Sequence, residues 1–271
     1  MTGQGPAGYL FDRDVSLTEA RPFRFRGTIS DSWSINGNPN GGYLLAVVAH
    51  AMARESDKKS TPIVTATYLA KTTVGEADLH VEMIARSTQF NRLQASLVQD
   101  GREKIRGLGT FADEKNECVI ERYETGPPVL APLDECISSP RIPGLTIFNN
   151  LEIRLDPGCA GWIQGKMTDK SEIKGWIRFR DGRPFDMISM FLLADAFPPA
   201  VFVSQGMVAW VPTIEMSVNV RNIPVTEWMK CVFRTRFITC GLFEEDGELW
   251  DEEGNLAAIS RQIAQYRKSA P

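Results

Sequence analysis

A run of apolar residues that opens at Asn40-Gly41-Gly42 constrains this chain more than any other feature. Leu44, Val47, Val48, Ala51 and Met52 fall at helical spacing on one face. Leu45, Ala46 and Ala49 make the other faces apolar too, so a helix here has to be enclosed by protein. A second apolar run, from about Phe185 to Phe197, also reads as a helix. Pro198-Pro199 stops it, because proline cannot continue a helix.

Strand-like sequence follows each helix. After the first come Ile63–Thr73, Leu79–Ser87, Arg92–Gln99 and Lys104–Ala112. After the second come Thr213–Arg221, Trp228–Phe237, a connection through Thr239–Leu249, and Leu256–Tyr266. From Thr213 the alternation is clean: Ile214, Met216, Val218 and Val220 are apolar, while Thr213, Glu215, Ser217, Asn219 and Arg221 are polar. Asp100-Gly101 and Asp246-Gly247 read as hairpin turns, and Asp251–Gly254 as a further turn. The order of leading strand, apolar helix and several antiparallel strands recurs at an offset of 143 to 149 residues, with little residue identity. The sequence divides accordingly into residues 1–120, a Pro- and charge-rich linker over 121–144, and residues 145–271. The fold class is α+β, and pattern alone leaves several α+β layouts open.

Composition narrows the function classes. The 271 residues carry a formal charge of −4, which argues against a dedicated nucleic-acid binder. The apolar stretches fall short of the ~20 residues a membrane-spanning helix needs. The Gly-rich stretch from Met1 to Leu10 lacks the layout of a signal peptide. Five cysteines, Cys118, Cys136, Cys159, Cys231 and Cys240, include no C-x-x-C pair, so neither a disulfide framework nor a zinc cluster is expected. These features point to a reduced, cytoplasmic protein that needs no metal or cofactor.

Asp195 is the most informative polar residue, because it sits in the apolar run Met187–Phe197 with Ile188, Phe191 and Leu192 on its own helix face. A carboxylate partly removed from water there needs hydrogen bonds or a raised pKa. Its rival role is to cap backbone at the helix end. Thr213, at the start of the alternating strand, and Gln262, sharing a strand face with Leu256, Ala258, Ala264 and Tyr266, are weaker candidates on their own. Asn40, Gly41 and Gly42 open the first helix, where free N–H groups can bind an anion or an oxyanion; an ordinary helix entry has the same pattern. The two histidines, His50 and His80, lie in no H-E-x-x-H, and there is no G-x-S-x-G elbow. If the chain is catalytic, carboxylate, amide and hydroxyl groups acting on water are expected, with a Ser-His-Asp triad assembled in space left open.

Several motifs together resemble the thioesterase-like double-hotdog family and are similar to the type II acyl-CoA thioesterases. They are Phe11-Asp12-Arg13-Asp14, Phe25–Ile29, Asn38–Leu44, Leu192–Pro199, Leu249-Trp250-Asp251 and Ser260-Arg261-Gln262. The resemblance covers about Phe11 to Arg267 and implies two tandem hotdog units, each a central helix wrapped by a curved antiparallel sheet. The family's Asp, Thr or Ser, and Gln fall on Asp195, Thr213 and Gln262, which implies hydrolysis of an acyl-CoA by an activated water. It also implies Lys or Arg side chains for the coenzyme A phosphates and association of two chains as a homodimer. Asn40 stands where type II thioesterases commonly carry a His, and the first half has no counterpart of Asp195, so one active site per chain is expected. A hotdog hydratase, which works with an Asp/His pair, and a non-catalytic acyl-CoA or lipid-acid binding protein are the rival functions.

Overall fold

The computed structural model describes residues 8–115, 119–139, 141–207 and 209–268. Among the described residues there are five α-helices: α1 (Leu10–Asp14), α2 (Gly41–Glu55), α3 (Ile147–Asn150), α4 (Met187–Leu193) and α5 (Val201–Gln205). The longer strands of the first half are β1 (Thr18–Arg21), β2 (Arg24–Ile29), β3 (Ser60–Tyr68), β4 (Gly75–Arg86), β5 (Phe90–Gln99) and β6 (Arg102–Ala112). Those of the second half are β7 (Leu151–Leu155), β8 (Ser171–Phe179), β9 (Thr213–Val220), β10 (Met229–Thr235), β11 (Leu242–Asp251) and β12 (Leu256–Gln265).

These strands form one antiparallel sheet in the order β1-β2-β4-β5-β6-β3-β9-β12-β11-β10-β8-β7. The sequence β2-β4-β5-β6-β3 is repeated as β8-β10-β11-β12-β9, and the repeats join edge to edge where Ser217 of β9 lies opposite Thr65 of β3. Each half therefore places a strand, a helix, a strand and then a three-strand meander in the same spatial order. Joining the two post-helix strands gives each a partner along an edge it would otherwise expose.

The apolar run at Gly41 forms α2 as its spacing requires. Gly42 to Ala49 and Ala51 to Ala53 are buried, and the helix packs on β3, β4, β5 and β6. Leu45, Val48 and Met52 are fully buried, each stabilising the fold by roughly 1.5–3 kcal/mol. At Asp100-Gly101 the backbone takes φ values of 52° and 69°, the left-handed pair that a two-residue hairpin demands.

Three expectations need correction. The second helix is shorter than Phe185–Phe197. Asp186 and Ser189 form a capping box that starts α4 at Met187. At the other end Asp195 N donates to Leu192 O at 3.2 Å, a tightened turn that ends α4 at Leu193, ahead of the two prolines. Asp246-Gly247 is not a hairpin and Thr239–Leu249 is not mainly a connection, because both residues lie inside β11, paired with β10 and β12. A Cβ on Gly247 would fall 2.6 Å from the Phe233 ring, so glycine serves close packing there and not a turn. The third correction concerns Thr213 and is described with the site.

The segment before β7 lies along the second half. Ala131 N donates to Asp156 Oδ2 at 2.8 Å, Trp176 Nε1 donates to Ala131 O at 3.3 Å, and Ser138 lies opposite Arg154. Cys136, Cys159, Cys231 and Cys240 are free thiols, while Cys118 lies outside the described residues. Among the described residues, no helix is long and apolar enough to cross a membrane.

Candidate active site

Where α4 ends, the chain turns toward the first turn of α2, and this meeting builds the site. The helices touch closely because α2 begins with two glycines. A Cβ on Gly42 would lie 2.7 Å from Phe191 O and 2.8 Å from both Leu192 O and Asp195 Cβ; one on Gly41 would lie 2.9 Å from Asp195 Oδ2. Glycine is required at this crossing for close backbone approach.

Asp195 presents its carboxylate to that helix start. Oδ2 accepts from Gly42 N at 2.9 Å and from Asn40 Nδ2 at 3.0 Å, and Asn40 Nδ2 also donates to Asp195 O at 2.8 Å. The Asn40 amide oxygen accepts from Tyr43 N at 3.0 Å, the N-cap bond of α2. One asparagine thus caps the helix through its oxygen and grips Asp195 through its nitrogen. Tyr68, on β3, donates its hydroxyl to Gly41 O at 2.7 Å and fixes the same turn from the sheet side. Asp195 does not cap its own helix end; its side chain serves the other helix.

The far side of Asp195 faces the sheet. Gln262, buried on β12, donates from Nε2 to Asp195 Oδ1 at 3.3 Å and to Glu245 Oε1 at 2.9 Å. Its Oε1 accepts from Thr213 Oγ1 at 2.9 Å. Simple alternation places Thr213 on the face opposite Met216. The register shifts between Thr213 and Glu215, however, so Thr213 lies opposite Ala264 while Met216 lies opposite Gln262. Ala264 and Gln262 share the buried face of β12, and this bulge turns the Thr213 hydroxyl inward beside them. Asp195, Thr213, Gln262, Asn40, Gly41 and Gly42 are brought into one cluster.

Glu245 is the site residue that sequence reasoning missed. It is 5% exposed, and its Oε2 accepts from Ala200 N at 2.6 Å. The signal was present: Phe243, Glu245, Gly247 and Leu249 share one strand parity, so Glu245 had to point inward. The false hairpin at Asp246-Gly247 hid it.

Burial dominates the electrostatics. It raises the Asp195 carboxyl from 3.8 to about 6, although the donors from Gly42, Gln262 and Asn40 pull the other way. Burial likewise raises Glu245 from 4.5 to about 7, with the charge on Asp195 pushing in the same direction. The Tyr68 hydroxyl is held neutral, its pKa driven up by burial and by Asp195. Asp195 and Thr213 are each partly open to solvent, whereas Gln262 and Glu245 are buried. A carboxyl raised toward neutrality and linked to a hydroxyl through one amide is suited to general-base chemistry on a water.

Neither histidine joins the cluster. His50 makes its ring contact to Val15 O at 2.8 Å, and His80 lies on β4 opposite Arg24 and Ser96. Among the described residues, no group of three or more His, Cys, Asp or Glu side chains is placed to hold a metal ion.

Comparison with solved structures defines the class first. The fold matches a protein provisionally assigned as a thioesterase II from Thermobifida fusca YX with a TM-score of 0.87, at 23% identity and covering 96% of this chain and 98% of that one. It also matches a conserved protein of unknown function with a hot dog fold from Alicyclobacillus acidocaldarius, with a TM-score of 0.86 at 19% identity, covering 98% of this chain and all of the other (100%). The architecture is thus that of hotdog proteins. An uncharacterised protein of Mycobacterium tuberculosis (strain ATCC 25618 / H37Rv) is 22% identical over 265 residues, covering 89% of this chain and 90% of that protein.

The family follows from the sequence match. The acyl-CoA thioesterase C-terminal domain matches residues 130–266 and the N-terminal domain matches residues 29–112. The chain belongs to the acyl-CoA thioesterase family.

Proposed function

We propose that this protein hydrolyses the thioester of a fatty or other acyl-CoA to the free acid and coenzyme A, with Asp195, Thr213 and Gln262 as its working groups. The observation that carries this reading is the Asp195 carboxyl itself: tied to Asn40, Gly42 and Gln262, raised to about 6 by burial, and linked through the Gln262 amide to the Thr213 hydroxyl.

The hydrogen-bond directions support a division of roles. Both amide hydrogens of Gln262 are committed to carboxylates, so Gln262 orients Asp195. The Thr213 hydroxyl hydrogen is committed to Gln262, which leaves its lone pairs free to accept. A water that gives one hydrogen to Asp195 and the other to Thr213 Oγ1 has its own lone pair turned outward, toward a thioester carbonyl. Asp195 takes the proton as the water oxygen bonds to that carbon. The tetrahedral intermediate then collapses, the C–S bond breaks, and the proton on Asp195 passes to the departing thiolate sulfur. Asn40, Gly41 and Gly42 are the proposed substrate-facing turn. The free N–H groups expected at this helix start are not free: Gly42 N and Asn40 Nδ2 donate to Asp195 and Tyr43 N to Asn40, so the turn acts on developing negative charge through the positive end of α2 and not through those donors.

The same proposal takes the chain as two hotdog units, residues 1–120 and 145–271 joined by 121–144. Coenzyme A phosphates are held by Lys or Arg at the mouth, and two chains associate as a homodimer. Light scattering on the purified protein tests the dimer. Thiol release from a panel of acyl-CoA esters tests the reaction: hydrolysis supports it, and binding without turnover marks an acyl-CoA binding protein instead.

A further inference from the structure

Glu245 carries the next inference. It is a buried acid on the inward face of β11, among Phe243, Gly247 and Leu249, and the mechanism above gives it no task. Both of its oxygens receive N–H donors, from Gln262 Nε2 at 2.9 Å and from Ala200 N at 2.6 Å. That is the donor pattern of an ionised carboxylate.

A glutamine amide can occupy its site in two orientations of nearly equal shape, with nitrogen and oxygen exchanged. Only one is useful here. With Nε2 toward the carboxylates, Oε1 receives the Thr213 hydroxyl and the Thr213 lone pairs are free for water. Turned over, Gln262 would aim its oxygen at two acceptors and its N–H at Thr213, occupying those lone pairs. We infer that Glu245 is a positioning residue: its charge, acting through Gln262, holds the amide with Nε2 on Asp195 and Oε1 on Thr213. This rests on the hydrolytic reading of the same site.

The surroundings support it. Asp195 faces Glu245 across the shared Gln262 nitrogen. Asp246, the next residue, points to the other side of the sheet, where Arg261 and Arg236 hold it. The remaining neighbours are uncharged: Gln262 on β12, Ala200 N–H before α5, and Thr235 on β10, one residue beyond the Arg234–Asp246 pair. Because burial brings Glu245 and Asp195 into the same titration range, protonating either one disturbs the other through the amide.

The test follows kcat and KM of the full chain from pH 5 to 9 for wild type, Glu245→Gln and Glu245→Asp. When both acids must be ionised, the fall in wild-type kcat steepens toward its limit of about a hundredfold per pH unit at the acid end. With only Asp195 left, Glu245→Gln falls by about tenfold per unit. At pH 8 its kcat is at least about tenfold below wild type with KM little changed, the mark of a group that acts on the chemical step. Glu245→Asp keeps the charge and keeps the steep limb. Equal steepness in wild type and Glu245→Gln overturns the inference, even if the rate drops, because a merely structural carboxylate leaves the limb unchanged. A readout independent of turnover is the Asp195 carboxyl carbon resonance, assigned by its loss in Asp195→Asn. It should titrate in two steps in wild type and in one in Glu245→Gln; a single step in wild type contradicts the inference. Absence of turnover in wild type counts against the hydrolytic reading alone, and the resonance still decides the role of Glu245.

Discussion

Gly42 N donates to Asp195 Oδ2 at 2.9 Å, joining the first turn of α2 to the residue just beyond α4 across 153 positions of sequence. A carboxylate that burial would neutralise is thereby set on the positive end of the longest helix in the described fold. The two halves of the chain meet in that bond. The second half supplies the acid and Gln262 on its Oδ1, and the first half supplies the Gly42 and Asn40 donors on its Oδ2.

Asn40 both caps α2 and donates to Asp195, so Asn40→Ala removes two functions. Loss of the cap costs about 1 kcal/mol of stability, measured by urea unfolding. Loss of the Nδ2 donor disfavours the charged form of Asp195, raises its pKa and moves the acid limb of the rate profile to higher pH. A limb that stays in place would show that Asn40 acts on the helix alone.

At Gly42, alanine gains helix propensity but meets Phe191 O and Leu192 O at under 3 Å. The second effect dominates, because backbone atoms cannot swing aside. Gly42→Ala is expected to lose about 1–3 kcal/mol in unfolding free energy and to lose turnover as α4 is pushed back. A variant of wild-type stability would mean that the helices do not meet so closely.

Thr213→Val keeps the shape and removes the hydroxyl. Gln262 Oε1 then loses its donor and the water loses an acceptor, so kcat should drop by about two to three orders of magnitude, the loss seen when a single active-site hydrogen-bonding group is removed. An unchanged kcat would remove Thr213 from the proposed mechanism.

Stability also carries a pH signature. Asp195 and Glu245 both have raised pKa values in the folded state, so the fold binds more protons than the unfolded chain between roughly pH 4 and 7. Their contribution is therefore lost as pH rises through about 6 and 7. Relative to Glu245→Gln, wild type should become less stable by about 1–3 kcal/mol between pH 5 and pH 8 in urea unfolding, groups not coupled to Glu245 cancelling in the difference. A difference that does not change with pH would contradict a raised Glu245.

Local pattern carried the parts of the fold that local physics decides. An all-apolar helix from Gly41, the alternation through Met216, Val218 and Val220, and the Asp100-Gly101 turn were legible because side-chain period and backbone φ are set by adjacent residues. Asp195 stood out because a carboxylate in apolar surroundings needs partners. What pattern could not supply was non-local. Asp246-Gly247 has the composition of a turn, and only the Phe233 ring from β10 makes that glycine a strand residue. The bulge after Thr213 is a property of the pairing with β12, and simple parity aimed the hydroxyl the wrong way. Glu245 was lost with the false hairpin.

The most direct measurement is free-thiol release from a panel of acyl-CoA esters at pH 8, wild type against Asp195→Asn, with ligand binding followed in parallel. The expected result is turnover on at least one ester that falls by about 10²–10⁴-fold in the variant, with acyl-CoA binding retained. Equal turnover in the two proteins, or none in wild type while acyl-CoA still binds, would contradict water activation by Asp195.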